Sequence, residues 1–371
     1  FENGDKKLPV QVVKRVPRMG EILDMNGIPL VTSVTFYDIH MDPTVVDQKI
    51  FDTDLGELSA GLARFYPDRS AREWETFIRT ARNRGSRYLL IQKKVTNDER
   101  KRLRELPIFK LGRLKGGIID SDETILRKRP HAELMKRTLG YYKNEGGVEL
   151  RVGIEGAFHE YLSGEPGEEI EQKFTTGWKK TGQIVKEAIE GADVVTSIDK
   201  EIQEVAHSEL ERQLRNQGAK NGCVIVMDVK TGFVKAIANL TQAKDGEYYE
   251  LYNHAVGTKE VPGSTFKLAS LMAALEDERI NIDDTVSAYG EYTFYGSTLH
   301  DALKGGYGRI TIRKAFEKSS NVISQVIHRA YRNDPQAFIS RLEQFGLTEA
   351  LGVDIAGEPN PVIYQPGHKN W

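Results

Sequence analysis

The sequence has 371 residues, 39% hydrophobic and 29% charged, with a net charge of −2. At about 100–200 residues per domain, this length implies two or three domains. The near-neutral balance gives no argument for a nucleic-acid footprint, and no apolar run approaches the ~18 residues that a membrane-spanning helix needs. The chain begins at Phe1 rather than Met, so an N-terminal signal or anchor is expected to be absent from it.

In chain order, Val10 to Val16 and Leu30 to His40 alternate β-branched and polar residues and predict strands. Leu55 to Phe65 and Ala71 to Arg82 have the apolar spacing of helices. Arg87 to Val95 predicts a strand. Thr96-Asn97-Asp98-Glu99 is a capping box opening a helix that ends near Pro107. Arg127-Lys128-Arg129, a compact basic run, stops at Pro130 and reads as a solvated turn. Composition shifts near Gly191, which divides the chain into residues 1–190 and 191–371. Beyond it come a strand (Asp193 to Ile198), an amphipathic helix (Ile202 to Leu214), and two apolar strands (Cys223 to Asp228, Phe233 to Ala238) around Lys230-Thr231-Gly232. The single cysteine, Cys223, lies in an apolar run and is expected to be a buried, inert thiol. Pro262-Gly263 then leads into a strongly apolar helix from Ser264 to Glu276, and two further helices, Ile310 to Lys318 and Val322 to Tyr331, flank the corner Ser319-Ser320-Asn321.

Ser264-Thr265-Phe266-Lys267 is the first candidate for chemistry. A serine hydroxyl needs a nearby base to become a nucleophile. The i to i+3 spacing puts Lys267 one turn on, on the face of Ser264. At a helix N-terminus Ser264 would have free N–H groups for a developing oxyanion, and burial would lower the Lys267 pKa towards a neutral base. About one S-x-x-K tetrad is expected by chance in a chain this long, and a second stands at Ser197 and Lys200. Ser319 and Asn321, downstream between helices, add a hydroxyl to relay a proton and an amide to hold a substrate; the same corner also suits an N-cap for the next helix. His159-Glu160-Tyr161-Leu162-Ser163 lacks the second histidine of a zinc-protease motif, and His131-Ala132-Glu133 has no cysteine pair to complete a deaminase site. No phosphate-cradling loop is present, and neither a metal nor an organic cofactor is expected.

These residues carry a resemblance. S-x-x-K followed by S-x-N is a signature shared by penicillin-binding proteins and class A β-lactamases. Glu260-Val261-Pro262-Gly263-Ser264-Thr265-Phe266-Lys267 resembles the Glu-Pro-Gly-Ser element of class B penicillin-binding proteins, with Val261 as an interruption. Gly222 to Asp228 with Lys230-Thr231-Gly232 resembles the family's hairpin before the serine helix. Thr196-Ser197-Ile198-Asp199 with Gln203 resembles its entry strand and helix, and Gly153-Ile154-Glu155 with Leu162 and Gly164 an element of its N-terminal module. Gly20 to Gly27 resembles the family's opening stretch, with Met19 and Met25 where the pattern has arginines. K-T-G occurs at Lys180-Thr181-Gly182 and at Lys230-Thr231-Gly232, but both precede Ser264, whereas the family's catalytic copy follows S-x-N; both are read as turns.

The resemblance implies an α+β protein, with an elongated pedestal or dimerisation-like module in residues 1–190 and the N-terminal part of a penicillin-binding transpeptidase domain in 191–371. It implies a peptidoglycan D,D-transpeptidase, of the division type by its Glu-x-Pro-Gly-Ser pattern, with Ser264 as nucleophile, Lys267 as base, Ser319 as proton relay and Asn321 binding the donor peptide. Implied partners are peptidoglycan stem peptides, β-lactam antibiotics and membrane-bound glycosyltransferase and division proteins, at the extracytoplasmic face of the cytoplasmic membrane. A β-lactamase or β-lactam sensor, and a non-catalytic scaffold of the wall-synthesis machinery, are the alternatives. Residues 322–371 offer no K-T-G strand, so the structure is expected to show either an open sheet edge where that strand belongs or a separate segment filling it.

Overall fold

A computed structural model of the chain describes residues 8–120, 123–131, 134–174, 177–294 and 296–369; Ala132 and Glu133 of the His131-Ala132-Glu133 run lie outside them. The first half is organised by one long strand, Pro29–Met41. It pairs along its length with Ile22–Leu23, Leu89–Thr96, Ile118–Asp120 and Thr124–Lys128, all antiparallel. Helices Gln48–Phe65 and Ala71–Asn83 contribute Phe51, Leu55, Leu58, Leu62, Trp74 and Ile78 to a core that also takes Ile39 and Met41 from the strand. Each such fully buried side chain is worth about 1.5–3 kcal/mol relative to exposure. The expected capping box is present: Thr96 Oγ1 accepts from Glu99 N while the Glu99 carboxylate accepts from Thr96 N and Oγ1, opening the Asn97–Arg104 helix. A second box, Ser70 with Glu73, opens Ala71–Asn83 in the same way. Val10–Arg15, Gly167–Phe174 and Gly177–Lys186 form a separate three-stranded sheet.

In the second half the Lys200–Gln217 helix, capped by Asp199, packs Leu210 and Leu214 against Ala238, Leu240 and Tyr248 of the sheet Asn221–Met227, Val234–Gln242, Tyr248–Tyr249. Gln203 is fully buried and satisfied by one residue: its Nε2 donates to Ile237 O at 3.0 Å and its Oε1 accepts from Ile237 N at 2.7 Å. Among the described residues Asn221–Met227 pairs only with Val234–Gln242, so its other edge is open. Helices Phe266–Glu276, Ile312–Glu317 and Val322–Tyr331 gather around Leu271, Ala315, Val322 and Ile323. No described helix is long and apolar enough to cross a membrane.

The halves meet in a common core. Ile22, Leu30, Val31, Met135, Leu139, Ile154 and Leu162 from the first pack with Ile198 and Ile237 from the second. Val194–Val195 pairs in parallel with Ile22–Leu23, and the buried Asp24 carboxylate accepts from Asn26 N, Ile28 N and Lys200 N. Glu250, 3% exposed, accepts from Arg137 N at 3.0 Å and Asn239 N at 3.3 Å, tying the halves together. Burial pushes its carboxyl pKa up to about 7, against those two hydrogen bonds and the charges of Arg137 and Lys136. Between pH 4.5 and about 7 the folded chain therefore keeps a proton that the unfolded chain has released. Stability is fullest below that window and falls as pH rises through it. Glu250→Gln should flatten a slope on the order of 2 kcal/mol between pH 5 and pH 7.5 in denaturant titrations; an unchanged slope in the variant would reject this origin.

Three expectations are corrected. Cys223 is exposed, not buried: only one face of Asn221–Met227 is covered, so Gly222, Val224 and Val226 turn inward while Cys223, Ile225 and Met227 face out. A continuous apolar run suggests a strand buried on both faces; here the helix covers one. Arg127 is in a strand rather than a solvated turn, pairing with Glu155 at 2.9 Å and donating to Gly20 O and Ser33 Oγ. Lys180-Thr181-Gly182 lies inside the Gly177–Lys186 strand, at a register shift, rather than in a turn.

Candidate active site

Pro262-Gly263 sets the entry to the serine helix. Gly263 has φ +60, a backbone state costly for a residue with a Cβ, and it starts a 3-10 turn, Gly263–Thr265, that runs into Phe266–Glu276. Thr265 Oγ1 donates to Pro262 O at 2.6 Å and braces this turn. Ser264 is exposed on it, one turn before Lys267, and its hydroxyl has no hydrogen-bond partner among the described residues.

Lys267 is 8% exposed. Its Nζ donates to Ser319 O at 2.7 Å, to Asn321 Oδ1 at 2.8 Å and, weakly, to Ser319 Oγ at 3.5 Å. Burial lowers its pKa, and the Asp301 carboxylate partly opposes this. The structure thus brings Lys267, Ser319 and Asn321 into one cluster, with Ser264 at the head of the same helix.

The S-x-N corner owes its shape to how the Ile312–Glu317 helix ends. Ser319 N–H donates to Phe316 O and Ser320 N–H to Ala315 O, with Ser319 at φ +50. These are the two bonds of a Schellman motif, whose left-handed position glycine usually occupies. A serine there costs about 1–2 kcal/mol, and the turn aims its carbonyl at the lysine. Ser319→Gly should therefore raise the melting temperature slightly while slowing acylation by β-lactams. A variant that loses stability would show that the backbone is unstrained.

Asp301 is the residue that motif reading missed. Its carboxylate accepts from Ser320 Oγ at 2.7 Å, Asn321 N at 2.5 Å and Tyr292 OH at 3.1 Å. Asn321 Nδ2 donates to the neighbouring His300 O at 2.8 Å, fixing which amide end faces Lys267. Asp301 sits in a Gly- and polar-rich stretch with no periodicity, and only the buried middle serine of the corner hints that an acceptor must lie beneath it. Asp301→Asn removes a charge that favours the Lys267 ammonium, so the acid limb of the acylation pH profile should move to lower pH. The plateau rate should drop about tenfold as the corner loosens. An unshifted limb would mean that Asp301 acts through packing alone.

The other candidates lie elsewhere. Ser197 Oγ donates to Val234 O at 2.7 Å and is occupied there; Lys200 pairs with Glu204. Lys180 pairs with Glu169 at 2.7 Å, and Lys230 and Thr231 sit in a hairpin turn whose N–H groups bond Asp228. His159 stacks on Tyr142. No group of three or more His, Cys, Asp or Glu side chains among the described residues is placed to hold a metal ion.

Comparison with known proteins gives consistent matches. Residues 14–196 match the penicillin-binding protein dimerisation domain, and residues 222–365 the penicillin-binding protein transpeptidase domain. Peptidoglycan D,D-transpeptidase FtsI of Escherichia coli K12 is 26% identical over 367 residues, which is 95% of this chain and 57% of that protein. Penicillin-binding protein PbpB of Mycobacterium tuberculosis is 28% identical over 249 residues, 65% of this chain and 36% of its own length. This chain thus spans about a third to three-fifths of the length of these curated relatives. The crystal structure of penicillin binding protein 2X from Streptococcus thermophilus aligns with a TM-score of 0.72 at 21% identity, over 96% of this chain and 55% of that one, a likeness of fold.

Proposed function

Since this chain belongs to the penicillin-binding proteins, with their dimerisation domain followed by their transpeptidase domain, we propose that it serves peptidoglycan cross-linking as a serine D,D-transpeptidase of the division type. We place the boundary between its modules at residues 190/191. The observation that carries the reading is the Lys267 ammonium, buried and held by Ser319 and Asn321 on the helix that Ser264 heads.

In the reaction, Lys267 first sheds a proton, which its burial favours. Ser264 Oγ then attacks the carbonyl carbon of the D-Ala-D-Ala peptide bond, and its proton passes to Lys267 Nζ. The tetrahedral oxyanion is met by the backbone N–H of Ser264; the family's K-T-G strand, which residues 322–371 do not contain, supplies the second donor. The C–N bond breaks, and the departing D-Ala amine takes a proton relayed through Ser319. An amine on a neighbouring strand attacks the resulting ester, gives up its proton by the reverse relay and frees Ser264. Asn321 holds the donor peptide's amide. β-Lactams enter the same path and stop at the ester. The work belongs on the extracytoplasmic face of the membrane, where peptidoglycan and the membrane-bound polymerising and division partners meet.

Mass spectrometry of the native protein after penicillin treatment tests this. The expected result is a single, long-lived acyl adduct. Rapid loss of the adduct with turnover of the drug would make the protein a β-lactamase, and no adduct at all would leave it a scaffold.

A further inference from the structure

Charge in this chain is unevenly placed. Between residues 64 and 115 there are sixteen Lys or Arg and six Asp or Glu, a net of +10, whereas the whole chain carries −2. The remaining residues therefore carry −12. The basic segment includes the Ala71–Asn83 helix, the Leu89–Thr96 strand and the Asn97–Arg104 helix. Part of its charge is neutralised: Arg79 pairs with Glu75 and Asp52, and Arg100 and Arg104 with Asp120. Arg82 donates to Pro43 O, Val46 O and Gln48 Oε1.

Three arginines are different. A cleft of about 820 Å³ runs along the Ala71–Asn83 helix, and Arg69, Arg72 and Arg84 line it. None of the three has an ion-pair partner among the described residues. Arg69 lies over the Trp74 and Phe77 rings, 4.9 and 4.4 Å from their centroids, which holds its guanidinium flat. Arg72, in the first turn of the helix, and Arg84, its C-cap, are twelve residues apart, about 18 Å along the axis at 1.5 Å per residue and about 120° apart around it, and both reach the cleft. Between them lie Thr76, whose hydroxyl donates to Arg72 O, and Thr80, whose hydroxyl, like that of Ser86, has no partner among the described residues. The one acid in the cleft, Glu73, is engaged by Ser70 N and Oγ.

We propose that this cleft is a binding site for a soluble, extended polyanion bearing phosphate groups. Guanidinium forks grip phosphate oxygens in pairs, and Ser and Thr hydroxyls add the single contacts usual at phosphates. Two forks at the ends of a hydroxyl-bearing stripe suit an anion that repeats along its length rather than one compact ion. The surrounding excess of positive charge steers such a polymer inward.

The probe is a fluorescently labelled short linear polyphosphate, titrated into the native chain at low and at physiological salt. Binding is expected, weakening as salt rises. The Arg72→Gln/Arg84→Gln variant should lose about tenfold or more in affinity, with an unchanged melting temperature, since both side chains are exposed. Lys110→Gln/Arg113→Gln removes the same charge from the same segment outside the cleft and should change affinity less than about threefold. Equal losses in the two variants would reduce the effect to diffuse charge and overturn the site. So would tighter binding of polyglutamate than of polyphosphate, binding only to vesicles of anionic lipid, or no binding at all.

Discussion

Ser264→Ala should abolish acylation by penicillin while leaving the fold intact. Ser264 is exposed on its turn and makes no side-chain bond among the described residues, so removing its hydroxyl costs no packing. The loss is therefore a readout of chemistry. The adducted peptide of the native protein should contain Ser264, and Thr231→Val, in the hairpin turn bonded to Asp228, should acylate normally. An adduct that persists in Ser264→Ala, or that maps to Ser197, would overturn the assignment.

The second large effect is at Lys267. Lys267→Ala should slow acylation by about 10²–10⁴, the range for loss of a general base. Lys267→Arg should not restore it, because a guanidinium does not become neutral. Both variants also disturb Ser319 and Asn321, whose oxygens accept from Nζ. The arginine variant separates the two contributions, since it can still donate to those oxygens. Recovery in Lys267→Arg would make Lys267 a tether for the corner and put the base elsewhere.

The sequence was most legible where the local signal and the tertiary environment agree. The Thr96 to Glu99 box opens a helix because its four residues satisfy their own N–H groups, whatever surrounds them. Ser264 and Lys267 could be found because one helix turn joins them. Ser319 and Asn321 could be found from their motif, but the strained Schellman geometry that presents them could not, since serine is an unusual choice at that position. Asp301 was invisible for a different reason: its role exists only once the chain between Glu291 and Asn321 has folded back on itself. The hairpin Tyr141–Glu145 to Val148–Val152 was missed although Gly146-Gly147 announces a two-residue turn and Val148 to Val152 alternates apolar and polar residues; both strands are short and largely exposed, so neither face enters a core. Cys223 was misplaced because a sequence shows that a strand is apolar, not which of its faces is covered.

The apolar cluster that joins Ile22, Leu139 and Leu162 to Ile198 and Ile237 has a mechanical consequence. Ile237 lies on the strand that Gln203 grips and that pairs with Asn221–Met227. A load applied to the N-terminal module is thus delivered into the sheet by contacts between close-packed side chains, which yield little when compressed. The seam is then a stiff joint rather than a swivel, and tilting the first half of the chain would carry the first strands of the second half along with it.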